Sequence, residues 1–285
     1  MPVIAVVNRK GGSGKSTFAA HVAAWCARQG HAVMLGDLDR QQSSRAWLRQ
    51  RPPDLPSIAP WTIDQRNVLR VPTGITHVVL DTPGGLQGFE LARVVMFADA
   101  IIIPVCPSLF DREAAAATHE ELATLPRVTS GRCRVAGVGM RIDSRTRAAD
   151  ALREWAQARE LPWLGTLRET QAYVRCLERG LTLFDLPPPQ ADLDLAQWGP
   201  VIDWLRPLLQ PPAAVEAPPP RTATPSRLAP SLVPRLQPAQ ESLAPGGRLS
   251  SVLSGPRVLP PVVRQPPVAR PSGLRFEERS LLLKR

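Results

Sequence analysis

Two of the three lysines in this 285-residue chain stand five residues apart in one glycine-rich segment. The segment reads Arg9-Lys10-Gly11-Gly12-Ser13-Gly14-Lys15-Ser16-Thr17, and the third lysine is Lys284. Arginine supplies all the other basic residues of the chain. Lysine carries a compact ammonium on a flexible stem, which a planar guanidinium does not reproduce. The chemistry that needs this group beside a glycine loop is the binding of nucleotide phosphates.

A strand is predicted before this loop and a helix after it. Residues 3–7 form an unbroken apolar run, typical of a strand buried on both faces of a parallel sheet. Residues 15–29 have apolar side chains at near-helical spacing, and Gly30 suits the C-terminal end of such a helix. Free N–H groups and the helix dipole then converge on the loop and favour an anion. The alternative is a glycine-rich turn with two lysines by chance, which the flanking elements disfavour.

Acidic side chains follow two further predicted strands. Residues 32–36 lead into Asp37-Leu38-Asp39, and residues 77–80 lead into Asp81 and a Thr-Pro-Gly-Gly turn. Ligands of α/β proteins bind at the carboxyl ends of the strands, so these carboxylates are candidate site residues. For the first pair, an acidic cap on a helix that starts near Ser43 is the alternative.

The glycine loop departs from the ordinary P-loop because Arg9 stands where that pattern has glycine. The sequence Lys10-Gly11-Gly12-Ser13-Gly14-Lys15-Ser16 closely resembles the deviant Walker A loop of the ParA/MinD family of partition and positioning ATPases. Residues 37–41 resemble the family's D-x-D-x-Q element, although Arg40 stands in place of the usual proline. Residues 77–85 resemble its Walker B strand, and residues 98–108 resemble its A-D-x-x-I-x-P-V-x-P-S run. The resemblance covers residues 1–209.

The resemblance implies that ATP and Mg²⁺ bind at the loop. Lys15 would hold the β- and γ-phosphates, and Thr17 would contact the α-phosphate. Lys10 would reach across a dimer interface to the nucleotide of the other subunit. Gly11, Gly12 and Gly14 would let the backbone approach the phosphates, where a Cβ would obstruct, and Ser13 would belong to the same nucleotide-binding loop.

The same resemblance implies the metal and catalytic residues. Ser16 would ligate Mg²⁺ through its hydroxyl, while Asp37 and Asp81 would bind the ion through its water shell. Asp39 would orient the water that attacks the γ-phosphate. The residues that contact the base are not defined by any motif, and residues 140–143, at a predicted strand end, are weak candidates.

Alternating strands and helices predict one doubly wound α/β domain with a mostly parallel sheet over residues 1–210. Residues 51–60 are expected to form a surface connection. Residues 211–285 contain 16 of the 32 prolines, and their 11 basic and 4 acidic residues give a charge of +7, so a disordered basic tail is predicted. Four scattered cysteines without a C-x-x-C pair argue against a disulfide framework or a metal cluster.

The resemblance implies a nucleoid-associated ATPase that dimerises with ATP and binds DNA without sequence preference, and the scattered cysteines favour the reducing cytoplasm. It would position a plasmid, a chromosome or a protein cluster, and a ParB-like protein or cargo adaptor would stimulate hydrolysis. The first alternative is a MinD-like regulator that docks on a membrane through residues 274–285; the second is an ATP-dependent synthetase of related fold. Surface arginines are candidates for DNA contact, with a solvated helix face as an equal explanation: Arg141, Arg145, Arg147, Arg153, Arg159, Arg168, Arg175 and Arg179.

Overall fold

The computed structural model describes residues 1–62 and 71–209. Its strands are β1 (Val3–Val6), β2 (Val33–Asp37), β3 (Ile58–Thr62), β4 (His77–Asp81), β5 (Ala100–Val105), β6 (Arg134–Ile142) and β7 (Trp163–Arg168). Its helices are α1 (Lys15–Arg28), α2 (Ser43–Leu48), α3 (Gly88–Phe97), α4 (Leu109–Ala123), α5 (Pro126–Thr129), α6 (Ala148–Gln157), α7 (Gln171–Glu178) and α8 (Pro188–Leu209). A 3₁₀ turn covers Leu183–Asp185.

The described strands form one sheet in the order β3-β2-β4-β1-β5-β6-β7, and every pairing is parallel. The chain begins in the middle of the sheet and extends it in both directions, so helices cover both faces. The predicted doubly wound P-loop fold is therefore confirmed, with a sheet that is wholly parallel in the described residues.

Alternate residues of the central strands supply the two faces of the core. On one face Ile4 and Val6 pack with Phe18 of α1 and Trp198 of α8. On the other face Val3, Ala5 and Ile101 pack with side chains of α3, α4 and α6. Strands buried on both faces read as continuous apolar runs, which is why β1, β4 and β5 are visible in the sequence.

The expected surface connection at residues 51–60 is wrong for its last three residues. Ile58, Ala59 and Pro60 belong to β3, which pairs with β2 at the edge of the sheet. Proline is tolerated on an edge strand because its missing N–H costs no ladder bond on the open side. Pro60 made this segment look like a loop in the sequence.

The predicted tail, residues 211–285, lies outside the described residues, as does the segment considered for membrane docking. Within residues 1–62 and 71–209, no helix is long and apolar enough to cross a bilayer.

His21 joins α1 to the layer of helices that covers it. The ring is fully buried, stacks on Trp198 with 5.4 Å between centroids, and accepts a hydrogen bond from the Leu183 N–H at Nε2 (3.2 Å). Because a backbone N–H can only donate, the ring proton lies on Nδ1, 2.8 Å from the Thr17 carbonyl that accepts it. Burial lowers the pKa of His21 from 6.5 to about 4, against hydrogen bonding to Thr17, which raises it.

This depressed pKa predicts a loss of stability in mild acid. Below the unfolded-state pKa of 6.5, His21 is protonated in the unfolded chain. In the folded protein it stays neutral until the pH falls to about 4. The free energy of unfolding should therefore fall by about 3 kcal/mol between about pH 7.5 and pH 4 because of this residue alone. His21→Gln keeps a donor and an acceptor but does not titrate. Urea unfolding of both proteins across this pH range should show a shallower decline for the variant, and parallel curves would contradict the assignment.

Candidate nucleotide-binding site

The loop between β1 and α1 has the backbone of an anion-binding turn. Gly12 and Gly14 have φ angles of 76° and 94°, in the left-handed region that glycine enters without steric cost. Gly14 is the N-cap of α1 and offers no side chain to the first turn, so the first N–H groups of the helix are left for a ligand. A Cβ at Gly11 or Gly12 would meet nothing within 4 Å, so this part of the loop borders open space.

Buried side chains fix the start of the loop. Asn8, which is fully buried, donates from Nδ2 to the Pro104 carbonyl (2.8 Å) and accepts from the Lys10 N–H at Oδ1 (2.9 Å). On the other side, the Thr82 hydroxyl donates to the Val6 carbonyl (2.7 Å). The ends of β5 and β4 therefore hold the loop from both sides.

Arg9, the departure from the ordinary P-loop, points away from the loop toward α4. Its guanidinium forms an ion pair with Glu121, and its N–H donates to the Thr118 hydroxyl (3.3 Å). The same Glu121 carboxylate accepts from the Gly88 N–H at the start of α3 (2.5 Å). An arginine at this position therefore leaves the glycine turn unobstructed.

Lys15 lies inside the curl of the loop. It is 7% exposed, and its ammonium donates to the Lys10 carbonyl across 3.0 Å. Burial lowers the pKa of Lys15, while the carboxylates of Asp81 and Asp39 raise it. The ammonium is thus positioned where the phosphates of a nucleotide in this loop would lie.

Lys10 occupies a different environment. Its ammonium lies 3.1 Å from Asp111 Oδ1 and 5.9 Å from the centroid of the Phe110 ring, both at the start of α4. The side chain is 37% exposed. The two lysines of the motif therefore point to different places, one into the loop and one toward the protein surface.

The predicted carboxylates meet at one edge of the sheet. Asp81 is in register with Asp37 on one side and with Val6 on the other. Asp37 Oδ1 accepts from the Asp39 N–H (3.0 Å) and Oδ2 accepts from the Arg45 N–H (3.1 Å) in α2. The helix-capping alternative considered for this pair therefore applies to Asp37. Burial raises the pKa of Asp37, against these backbone hydrogen bonds, which lower it.

Asp81 keeps one carboxylate oxygen available. Oδ2 accepts from the Ser44 hydroxyl (2.6 Å), whereas Oδ1 is buried and has no partner among the described residues. Burial raises the pKa of Asp81 to about 6, although the bond from Ser44 lowers it. Burying a carboxylate oxygen without a hydrogen-bond donor costs free energy of folding unless a ligand binds that oxygen. Oδ1 is therefore suited to a cation or to its water shell.

These donors fit the expected magnesium ion. Asp81 Oδ1 and the hydroxyl of Ser16 are hard oxygen ligands, which Mg²⁺ prefers. No group of three acidic, histidine or cysteine side chains in the described residues could hold a metal alone. Mg²⁺ keeps several waters and takes further ligands from phosphates, so it does not need three acidic side chains from the protein. The metal assignment of Ser16, Asp37 and Asp81 stays a prediction.

A cavity of about 420 Å³ extends from the loop to the corner between β7 and α7. Lys15, Thr17 and Asp39 line the loop end, together with Gly11, Gly12, Gly14 and Ser16. The far end is lined by residues from two strand ends, the turn after β7 and one helix: Met140, Arg141, Leu167, Arg168, Glu169, Thr170, Tyr173 and Val174. This size suits a small organic ligand with a charged end at the loop.

Sequence reasoning found only part of the far end. Met140 and Arg141 belong to the weak candidates at residues 140–143, whereas the β7–α7 corner was missed. The available signal was the position of this corner at the carboxyl edge of a predicted parallel sheet, where ligands bind.

The parallel sheet, the two-lysine glycine loop and the carboxylates at the sheet edge define an α/β nucleotide-binding domain. The model of the CobQ/CobB/MinD/ParA nucleotide binding domain matches residues 4–183, and the chain belongs to this family. The suspected relation to ParA and MinD proteins is therefore confirmed.

Two of the similar proteins are named for positioning or partition. The chain is 33% identical over 185 residues to maintenance of carboxysome distribution protein A of Gloeobacter kilaueensis, covering 64% of this chain and 83% of that protein. It is 29% identical to the chromosome-partitioning ATPase Soj of Thermus thermophilus over 171 residues, covering 47% of this chain and 67% of Soj.

Solved structures share the fold at low sequence identity. The MinD protein of Pyrococcus horikoshii, complexed with Mg-ADP, matches with a TM-score of 0.54 at 13% identity, over 73% of this chain and 98% of that one. An ATP complex of Cyanothece McdA matches with a TM-score of 0.54 at 14% identity, over 70% of this chain and 96% of that one.

The different partners of Asp37 and Asp39 predict different costs of removal. Asp37→Ala leaves two N–H groups beside a buried site without their acceptor, so the free energy of unfolding should fall by about 1–3 kcal/mol. Asp39 accepts only from the Gln41 N–H, in an exposed bond (3.0 Å), and Asp39→Ala should cost less than about 1 kcal/mol. Urea unfolding without nucleotide measures both, and equal losses would contradict the structural role of Asp37.

Proposed function

We propose that this protein is a ParA-type ATPase that hydrolyses Mg-ATP, dimerises when ATP binds and positions a cargo in the cell. The observation that carries the proposal is the division between the two lysines. Lys15 is buried in the loop, as a ligand of bound phosphates must be, whereas Lys10 is partly exposed beside the loop, where a second subunit has access. The named relatives, which maintain carboxysome distribution or partition chromosomes, support the positioning role.

In this proposal the chain supplies position and charge compensation for phosphoryl transfer. The loop N–H groups and the Lys15 ammonium bind the β- and γ-phosphates, and Thr17 contacts the α-phosphate. Bound Mg²⁺, held by Ser16 and through water by Asp81 and Asp37, would neutralise charge on the phosphate oxygens. Asp39, in the cavity next to the loop, orients the attacking water, so Asp39→Ala should bind ATP and turn it over slowly.

Lys10 would act on the nucleotide of the partner subunit. In the single chain its ammonium is paired with Asp111 Oδ1, which is 3.1 Å away. Dimerisation exchanges this carboxylate for a phosphate, which has more negative charge and forms strong hydrogen bonds with ammonium groups. ATP binding, self-association and turnover are coupled through this exchange.

The two lysines should therefore fail in different ways. Lys15→Ala should lose nucleotide binding, because the phosphate charge in the loop is left unpaired. Lys10→Ala should bind ATP within about threefold of the unmodified protein but lose ATP-dependent self-association and turnover, since its side chain lies outside the loop. Calorimetric titration with ATP and light scattering with and without ATP measure the two effects.

Asp111→Asn is the matched control for this pair. It releases the Lys10 ammonium without removing it, so self-association with ATP should be retained. Equal loss of ATP binding in Lys10→Ala and Lys15→Ala would rule out the role in trans. A synthetase of related fold would turn over ATP without self-association, so the same measurements separate that alternative.

DNA binding is proposed to depend mainly on the basic tail. Four of the candidate arginines of the body are paired with carboxylates, namely Arg145 with Asp143, Arg153 with Asp150, Arg159 with Glu113, and Arg168 with Asp194. These pairs reduce the positive charge that the body offers to phosphates. The sequence of the tail has a charge of +7 and 16 of the 32 prolines, so it supplies most of the net positive charge that the chain offers to phosphates.

Deletion of residues 211–285 should weaken binding to non-specific duplex DNA. Each lost phosphate contact should reduce the slope of log K against log salt by about 0.9. ATP hydrolysis without DNA should change little, since every proposed catalytic residue precedes residue 82. Fluorescence anisotropy at several salt concentrations measures the slope. An unchanged slope would assign the tail to partner binding, and relocation of a fluorescent fusion from the membrane on deletion would favour the MinD-like alternative.

A further inference from the structure

A loop that directs its N–H groups at a ligand turns its carbonyl groups outward, and those carbonyls need donors of their own. Three carbonyls between residues 10 and 13 accept from side chains in the structure. The Lys10 carbonyl accepts from Lys15 Nζ (3.0 Å). The Gly12 carbonyl accepts from Arg141 Nη2 (2.7 Å), and the Ser13 carbonyl accepts from the Cys106 thiol (3.9 Å). The donors for Gly12 and Ser13 come from the ends of two neighbouring strands, β6 and β5.

Arg141 and Cys106 act together. The Arg141 Nη2 group that donates to Gly12 also donates to Cys106 Sγ (3.2 Å). Cys106 is buried, and burial raises its thiol pKa, although the bond from Arg141 lowers it, so the sulfur retains a proton to donate. One guanidinium thus holds the Gly12 carbonyl directly and the Ser13 carbonyl through a thiol.

The backbone of Arg141 is unusual for a strand residue. Its φ angle of 52° lies in the left-handed region, which only three non-glycine residues of the described chain adopt. Strained conformations of this kind persist where the surrounding structure requires them, often at binding sites. In this conformation the Arg141 side chain, near the carboxyl end of β6, reaches across β5 and bonds the glycine loop that follows β1.

We infer that Arg141 is a positioning residue of the nucleotide site, which holds the Gly12 carbonyl and thereby fixes the loop that receives the phosphates. The inference rests on the proposed function, because the ligand of the loop is the nucleotide. It removes Arg141 from the candidate DNA contacts, since its guanidinium is bonded to the loop and lines the cavity. Because the guanidinium acts on the backbone of the loop, its effect is the same for ADP and for ATP.

The test compares Arg141→Ala with Arg145→Ala in the full-length protein. Arg145 follows the same strand, and its exposed side chain pairs with Asp143 (2.8 Å), so it is a matched control for loss of an arginine. Arg141→Ala should weaken Mg-ADP and a non-hydrolysable Mg-ATP analogue equally, each by about tenfold, as expected for loss of one charge-assisted hydrogen bond. Arg141→Lys, which keeps a donor, should recover part of the loss, and Arg145→Ala should bind both nucleotides normally.

Two further readings decide between this role and others. The melting temperature without nucleotide should change little in Arg141→Ala; a large drop together with unchanged nucleotide affinity would show a purely structural residue and overturn the inference. Weakening of the ATP analogue alone would show direct contact with the γ-phosphate and also overturn it. Loss of DNA affinity with normal nucleotide binding would return Arg141 to the DNA contacts. Absence of nucleotide binding in the unmodified protein would instead refute the proposed function.

Discussion

The glycine loop after β1 can receive an anion only if its own carbonyl groups are bonded to donors of the protein. Without such donors, the carbonyl oxygens would repel the anion or the turn would collapse. Lys15 bonds the Lys10 carbonyl and Arg141 bonds the Gly12 carbonyl, while Asn8 fixes the Lys10 N–H. The sheet order places the donors, because β4 and β5 flank β1 directly and β6 is the next strand.

The opposite problem arises at the acidic part of the site, where carboxylates must be buried without a full set of donors. The Asp37 carboxylate accepts hydrogen bonds from two backbone N–H groups and so stabilises the turn into α2. Asp81, only one strand away, has a single donor in Ser44 and retains an unbonded oxygen, with a pKa raised by burial to about 6. Two aspartates in register are thus bonded differently: both oxygens of Asp37 accept from backbone N–H groups, whereas one oxygen of Asp81 has no donor among the described residues.

The glycine loop and the carboxylates at the sheet edge were predictable from the sequence. The strands that contribute Asp37 and Asp81 are buried on both faces, so their apolar runs and their ends are visible. The edge strand β3 was missed because Pro60 interrupts its pattern and its pairing partner is set only by the tertiary fold. The β7–α7 corner was missed although its position at the carboxyl edge of the predicted sheet was a signal for it. The bond between Arg141 and Gly12 was beyond prediction, since it joins residues far apart in sequence through backbone geometry that no motif encodes.

Helix α4 gives the two basic residues before the glycines a common support. Asp111 at its start pairs with Lys10, while Thr118 and Glu121 further along bond Arg9. Glu121 also accepts from the Gly88 N–H, so the same carboxylate joins the loop to the start of α3. Arg9 and Lys10 are adjacent, so the loop is attached to α4 at two consecutive residues and, through Glu121, to the start of α3. The arginine that departs from the ordinary P-loop and the first lysine of the motif are therefore physically one feature, because the same helix holds both.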